Sequence, residues 1–166
     1  MNVGVELDSV DIHILSLLQT DGRITMRRLG EAVGLSGPAV ADRVRRLEDR
    51  RVIRGYRAEV VPERVGLPII AFATVALPYT GRPAGTLERL VQGIDAVVEC
   101  FRITGEDAYL MKLAVPSMEA LGAALAQLGE LGRTRSFVVL GTVKPPTPLL
   151  PREAETYGRF APSGAD

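Results

Sequence analysis

Four consecutive residues, Val33-Gly34-Leu35-Ser36, set the geometry of the first third of the chain. Glycine takes a left-handed φ at little cost and so ends a helix, and a serine just after it accepts hydrogen bonds from the free amides that begin the next one. Pro38 then falls in the first turn of that next helix, where its missing N–H is no loss. A corner this short holds two helices at a steep angle, so that one braces while the other projects from the surface.

The flanking residues agree. Leu7, Val10, Ile14, Leu17 and Leu18 recur at three- and four-residue spacing, which predicts a helix from its N-cap Asp8 to Gln19. Asp21-Gly22 stops it. Thr25 caps a second helix carrying Met26, Leu29, Ala32 and Val33, and a third runs from Ser36 to about Arg50 with Val40, Val44 and Leu47 inward. The expected architecture of residues 1–55 is a winged-type helix-turn-helix domain.

Charge decides what the projecting helix meets. The whole chain is balanced, 20 Lys+Arg against 20 Asp+Glu, and has no global attraction for a polyanion. Between residues 43 and 54, however, Arg43, Arg45, Arg46, Arg50, Arg51 and Arg54 face only Glu48 and Asp49. Taken alone, such a run is more often a solvated helix face than a binding site. On the second helix of this motif it is the pattern of a reader of double-stranded DNA, whose major groove is about 12 Å wide. Ser36, Gly37, Pro38, Ala39, Asp42, Arg43 and Arg46 are the candidates for base contact, and Arg27, Arg28, Arg50, Arg51 and Arg54 lie where phosphates come within reach.

Other chemistries start with little material. One cysteine, Cys100, and one histidine, His13, exclude an internal disulfide and a multi-thiolate zinc site and remove most acid–base constellations. His13 reads as a surface or partly packed residue and Cys100 as a small core residue of a strand. No catalytic residue, metal or cofactor is expected. No apolar run approaches the roughly 18 residues that span a bilayer, and the first residues lack the basic and apolar regions of a secretory signal. The expected location is the cytoplasm, with no membrane partner.

Beyond Gly55 the period changes. Residues 56–66 read as a hinge strand and linker, and residues 67–144 as a second domain. Its elements are a strand over 69–77, a short helix over 86–92 with Leu87, Leu90 and Val91 on one face, and strands over 97–104 and 108–115 joined at Gly105-Glu106-Asp107. A helix carrying Met118, Leu121, Leu125 and Leu128 and a last strand over 136–143 complete it. The order βαββαβ predicts a ferredoxin-like antiparallel sheet with two helices on one face, making the chain α+β overall. The first and last strands are apolar at odd and even positions alike, through Ile69, Ile70, Phe72 and Val75 and through Phe137, Val138, Val139 and Leu140. The helix-free face therefore needs cover, and the simplest cover is the same face of a second subunit. A homodimer would also set two reading helices about one DNA turn, roughly 34 Å, apart. The tail, residues 145–166, holds five of the chain's 11 prolines and is expected to be extended or disordered.

These residues together resemble the Lrp/AsnC (feast/famine) family of bacterial and archaeal transcription regulators over about residues 7–144. The matching segments are Leu7-Asp8, Ile14-Leu15 and Leu18, the Asp21-Gly22-Arg23 turn, Val33-Gly34-Leu35-Ser36, Arg43-Val44, Arg46-Leu47-Glu48, Ile53, Gly55-Tyr56 and Pro62. The resemblance implies a DNA-binding N-terminal domain, a hinge, and a C-terminal domain that oligomerises and binds a small effector, usually an amino acid. Higher assemblies of such dimers, often octamers, are common in the family. It places effector contacts on the glycine–acid loop, here Thr104, Gly105, Glu106, Asp107, Ala108 and Tyr109, and at the start of the last strand, here Thr134, Arg135 and Ser136. An amino acid needs donors for its carboxylate and an acceptor for its ammonium, for which Glu106 or Asp107 would serve. In isolation the same loop is equally a hairpin turn with two solvated acids.

Two positions depart from the family pattern. Relatives often carry Gly-Asp-x-Asp in the loop, where this chain has Glu106 and Ala108, and the usual glycine after the reading helix is Arg51. Either that helix ends without a glycine-type cap or Arg51 takes a left-handed conformation at some cost. Two further readings stand beside a regulator: a ligand-independent, nucleoid-organising DNA-binding protein, and an enzyme, since haem-pathway decarboxylases share the fold. For the enzyme, one histidine in the chain and few aromatics in the second domain offer little.

Overall fold

The computed structural model describes residues 6–76 and 86–151. The chain forms two compact units, one of residues up to 58 together with those from 145 on, the other of residues 59–144.

The first unit contains α1 (Ser9–Thr20), α2 (Met26–Val33) and α3 (Gly37–Asp49). Each opens on a side-chain cap: Asp8 accepts from the Asp11 N–H at 2.8 Å, Thr25 from Arg28 at 3.3 Å and Ser36 from Ala39 at 3.4 Å. Asp11 answers Asp8 reciprocally, closing a capping box. Ile14, Leu15, Leu18, Leu29, Val40, Val44 and Leu47 form the core. Gly34 ends α2 at φ +71°, as its place in the corner requires.

The tightness of that corner depends on another glycine. The Leu35 N–H donates to Gly30 O at 2.9 Å, and a Cβ on Gly30 would lie 2.5 Å from the Leu35 carbonyl oxygen. Gly30 is therefore the buried neighbour of Leu29, and Ala32, expected inward, is exposed. After α3 the Arg51 N–H donates to Glu48 O at 2.8 Å and the Val52 N–H to Leu47 O at 2.9 Å, with Arg51 at φ +56°. This is a Schellman end built with arginine where glycine is the unstrained choice.

The second unit comprises β1 (Ile69–Ala76), α4 (Thr86–Val91), β2 (Val97–Arg102), β3 (Tyr109–Val115), α5 (Met118–Gly129) and β4 (Arg133–Val138), preceded by a 3-10 turn at Pro62–Val65. The sheet is antiparallel in the order β2-β3-β1-β4. Ala71, Ala73 and Val75 of β1 and Tyr109, Met111, Leu113 and Val115 of β3 pack with Val91 of α4 and Leu121, Ala124 and Leu128 of α5. The α+β, ferredoxin-like reading is the observed fold.

Three details differ from the sequence reading. The last strand runs over 133–138 rather than 136–143, because β1 begins at Ile69 and offers no further partner once the Val139 N–H has bonded Ile70 O at 2.9 Å. Leu140 and Val143, 99% and 102% exposed, are thus solvated rather than sheet residues. Cys100 and Leu90, expected inward, are exposed, Cys100 because β2 is an edge strand. Leu77, the side chain of Leu87 and residues 152–166 lie outside the described residues.

Pairing registers define the helix-free face. One row runs Phe101, Leu110, Thr74, Arg135, and the next Glu99, Lys112, Phe72, Phe137. Phe101 and Phe137 are 48% and 59% exposed, and a Lys112–Glu99 ion pair at 3.6 Å crosses beside them.

Candidate DNA-binding and effector sites

The outer surface of α3 is what its inward stripe leaves over. With Val40, Val44 and Leu47 in the core, Ser36, Pro38, Ala39, Asp42, Arg46 and Arg50 are exposed, and Gly37 is partly covered. Arg27 and Arg28 on α2 and Arg51 and Arg54 beyond α3 are exposed as well. Among the described residues Arg28, Arg46, Arg50, Arg51 and Arg54 make no ion pair, whereas Arg27 meets Glu31 at 3.6 Å. Small residues at the start of the helix leave room for a close approach to base edges. Arg45, overlooked as a site residue, is also exposed and bonds Asp42 at 3.2 Å, a pairing its i,i+3 spacing signals.

Arg43 is placed differently from the outward position expected of it. Its Nη1 donates to Asp8 at 2.6 Å and to Asp11 at 2.7 Å, with the side chain only 23% exposed. The guanidinium closes the α1 capping box from outside. The Asp8 carboxyl is held below its ordinary range, first by the Asp11 backbone N–H and then by Arg43. Arg43 therefore braces the helix that its neighbours present.

At the second location, Ile103 and Ala108 close the loop with an N–H···O bond of 2.9 Å, leaving Thr104, Gly105 and Glu106 exposed and Gly105 at φ +115°. Asp107 is the one buried charged residue among those described, and it hydrogen-bonds Arg135 of β4. That guanidinium, then the Thr74 hydroxyl, holds the Asp107 carboxyl below the usual range. Thr74 Oγ1 is itself buried without a well-formed hydrogen bond. A hydroxyl within the apolar run of β1 was the available signal for this residue. Glu106 faces Arg133 at 4.0 Å.

The candidate effector residues do not all share one face. Arg135 stands across from Thr74 in the helix-free row, while Tyr109, paired with Val75, is buried on the helix side. The Tyr109 hydroxyl donates to Glu88 of α4 at 2.7 Å, which raises its own pKa and lowers that of the glutamate. Thr134 donates to Gly132 O at 3.2 Å, Ser136 is exposed, and Ala108 joins the loop to β1 through the Val75 carbonyl at 3.0 Å. Asp107, Arg135 and Thr74 thus form a converging polar group; Tyr109 and Thr134 belong to the opposite side. The described residues hold no cluster of metal-ligating side chains.

The profile of the AsnC-type helix-turn-helix domain matches residues 7–48, and that of the Lrp/AsnC ligand binding domain matches residues 70–149. The chain belongs to the Lrp/AsnC family. Two Lrp relatives show how far the likeness extends. The HTH-type transcriptional regulator LrpA of Mycobacterium tuberculosis is 37% identical over 138 residues, covering 82% of this chain and 91% of the relative. The leucine-responsive regulatory protein of Escherichia coli is 37% identical over 147 residues, covering 85% and 89%. Among solved Lrp/AsnC structures, a transcriptional regulator of Neisseria meningitidis in complex with L-Met superposes with a TM-score of 0.81 at 33% identity, over 87% of this chain and 96% of that one. A feast or famine regulatory protein of M. tuberculosis complexed with L-methionine gives a TM-score of 0.81 at 35% identity, over 88% and 100%.

Proposed function

We infer that this Lrp/AsnC chain is a DNA-binding transcriptional regulator whose second unit takes an amino acid or a closely related metabolite. The observation that carries the DNA reading is the division of labour among the α3 arginines. Arg43 is consumed in bracing, whereas Arg46 and Arg50 stand exposed on the presented side and make no ion pair among the described residues. Residues 1–55 are the reading domain, 56–66 the hinge and 67–144 the effector and assembly domain. Arg46 reads a base, with Ser36, Gly37, Pro38, Ala39 and Asp42 in the groove around it, and Arg27, Arg28, Arg50 and Arg51 meet phosphates.

For the effector, we propose Arg135 as the carboxylate partner and Asp107 as the ammonium acceptor, with the buried Thr74 hydroxyl beside Asp107 as a further contact. Thr104, Gly105 and Glu106 border the position. Two relatives of similar fold carry L-methionine, which supports an amino acid as the ligand class. The chain acts in the cytoplasm as a homodimer joined through the helix-free face that carries Phe72, Phe101 and Phe137, with larger assemblies of dimers open to it, and it performs no catalysis. No helix among the described residues is long and apolar enough to cross a membrane.

Calorimetric titration with each of the twenty amino acids tests the effector reading. Binding by at least one, lost on Asp107→Ala, is the expected outcome; silence from all twenty removes the amino-acid role and leaves DNA binding to be judged separately.

A further inference from the structure

Gln19, in the last turn of α1, uses both ends of its carboxamide on one residue of the chain's own far segment. Its Nε2 donates to Leu149 O at 3.1 Å, and the Leu149 N–H donates to its Oε1 at 2.8 Å. The same Nε2 donates to Leu15 O at 3.1 Å, fixing the carboxamide to its own helix. An amide that satisfies the N–H and C=O of a single residue does what a neighbouring strand does in a ladder, so it selects an extended backbone rather than a side chain. Leu150 then packs against the α1–α3 core, while the Leu149 side chain is 85% exposed. A groove of about 580 Å³ continues alongside, lined by Leu15, Leu18, Gln19, Val52, Tyr56 and Leu149.

The composition of the segment suits such a site. Pro145-Pro146-Thr147-Pro148-Leu149-Leu150-Pro151 holds four prolines in seven residues, each with φ fixed near the extended value. A segment already extended loses little conformational entropy on docking. The residues before it behave otherwise, since Leu140 and Val143 stand fully in solvent.

We propose that the face of the helix-turn-helix unit made by the end of α1 and residues 52–57 is a docking site for an extended peptide, and that residues 145–151 of the same chain are its resident ligand and a second tether to the effector unit. The chain passes between the units twice, at residues 58–59 and 144–145. The second passage follows β4, the strand carrying Arg135. Two tethers leave the reading helix fewer orientations than a single hinge, so less ordering remains to be done on DNA. This consequence, though not the docking itself, rests on the DNA-binding reading above.

The test uses the full chain as wild type, Gln19→Ala and Leu150→Asp. Alanine is a better helix former than glutamine, so α1 is not weakened by the first change. Amide hydrogen exchange, corrected for intrinsic rates, is compared at Leu149 and Val143, and affinity for a duplex is measured across salt concentrations. In the wild type Leu149 exchanges roughly threefold to tenfold more slowly than Val143, and both variants abolish the difference. Duplex affinity falls by roughly threefold to tenfold in both variants with the salt slope unchanged, because no phosphate contact has been removed. Equal exchange at Leu149 and Val143 in the wild type overturns the docking. Unchanged affinity in variants whose Leu149 is released, or a flattened salt slope, overturns the tether. A wild type that binds no duplex fails the DNA reading alone, since the exchange data judge the docking without DNA.

Discussion

Arg43 and Asp11 meet at 2.7 Å across the N-terminal unit, and the same guanidinium nitrogen bonds Asp8 at 2.6 Å. The middle of α3 is thereby fixed to the start of α1, and the α1 cap acquires a pH dependence. Asp8 titrates lower in the folded chain than its ordinary 3.8, so its contribution to stability is complete above that value and is lost as pH falls through the depressed one. Thermal melts of the wild type are expected to be flat above about pH 5 and to weaken below about pH 4. Asp8→Asn should lower the melting temperature at neutral pH and reduce the acid dependence; profiles of equal shape would show that this cap is not the group responsible.

Gly30 has no room for a side chain. With a Cβ only 2.5 Å from the Leu35 carbonyl oxygen, Gly30→Ala should destabilise the unit by about 1–3 kcal/mol and open the corner between α2 and α3. Gly37→Ala is the control, because nothing among the described residues lies within 4 Å of its Cβ position and alanine is the better helix former. Urea unfolding of the two variants compares them; equal midpoints would contradict the crowding argument.

Arg51 sits where glycine is unstrained, at φ +56°. Arg51→Gly is expected to stabilise the chain by about 0.5–1 kcal/mol, the relief of left-handed strain being partly offset by the freer unfolded chain. In the same variant the dependence of duplex affinity on salt should flatten by about one phosphate contact. A gain in stability with no change in the salt slope would assign Arg51 no place on DNA.

Phe137 projects from the helix-free face at 59% exposure, one strand from Phe72. Phe137→Glu should convert the proposed dimer into monomers at micromolar concentration in sedimentation equilibrium, since a charge would be buried unpaired at the joined faces. A dimer of undiminished affinity would move the subunit contact to another surface.

Much of this arrangement was legible in the chain, and the exceptions share a cause. Burial on β3 alternates from Tyr109 to Leu113, with Ala114 and Val115 both buried after it, and the three caps Asp8, Thr25 and Ser36 stand where local chemistry puts them. These are decisions made within a few residues. Arg43 lies at the edge of the α3 apolar stripe, where helical periodicity cannot say whether a guanidinium reaches water or an acid; Asp8 is 35 positions away. The Gln19–Leu149 contact spans 130 positions, and a proline-rich composition reports extension without naming a partner. The last strand ends at Val138 although apolar residues continue beyond it, because the length of β1 and not apolarity sets where pairing ends. In the effector loop the sequence marked Asp107 but gave no sign that Arg135 already engages it or that Tyr109 faces the helices.

Selection of duplexes from a random-sequence pool tests the central claim most directly, with wild type and Arg46→Ala run side by side at one salt concentration. A presented α3 in a two-fold dimer should enrich an inverted repeat with half-sites about one helical turn apart, and Arg46→Ala should weaken binding to it by about 1–3 kcal/mol while leaving binding to unselected DNA unchanged. A wild type that enriches no motif, or an Arg46→Ala variant that loses all sequences equally, would contradict the assignment of α3 as a reader of base sequence.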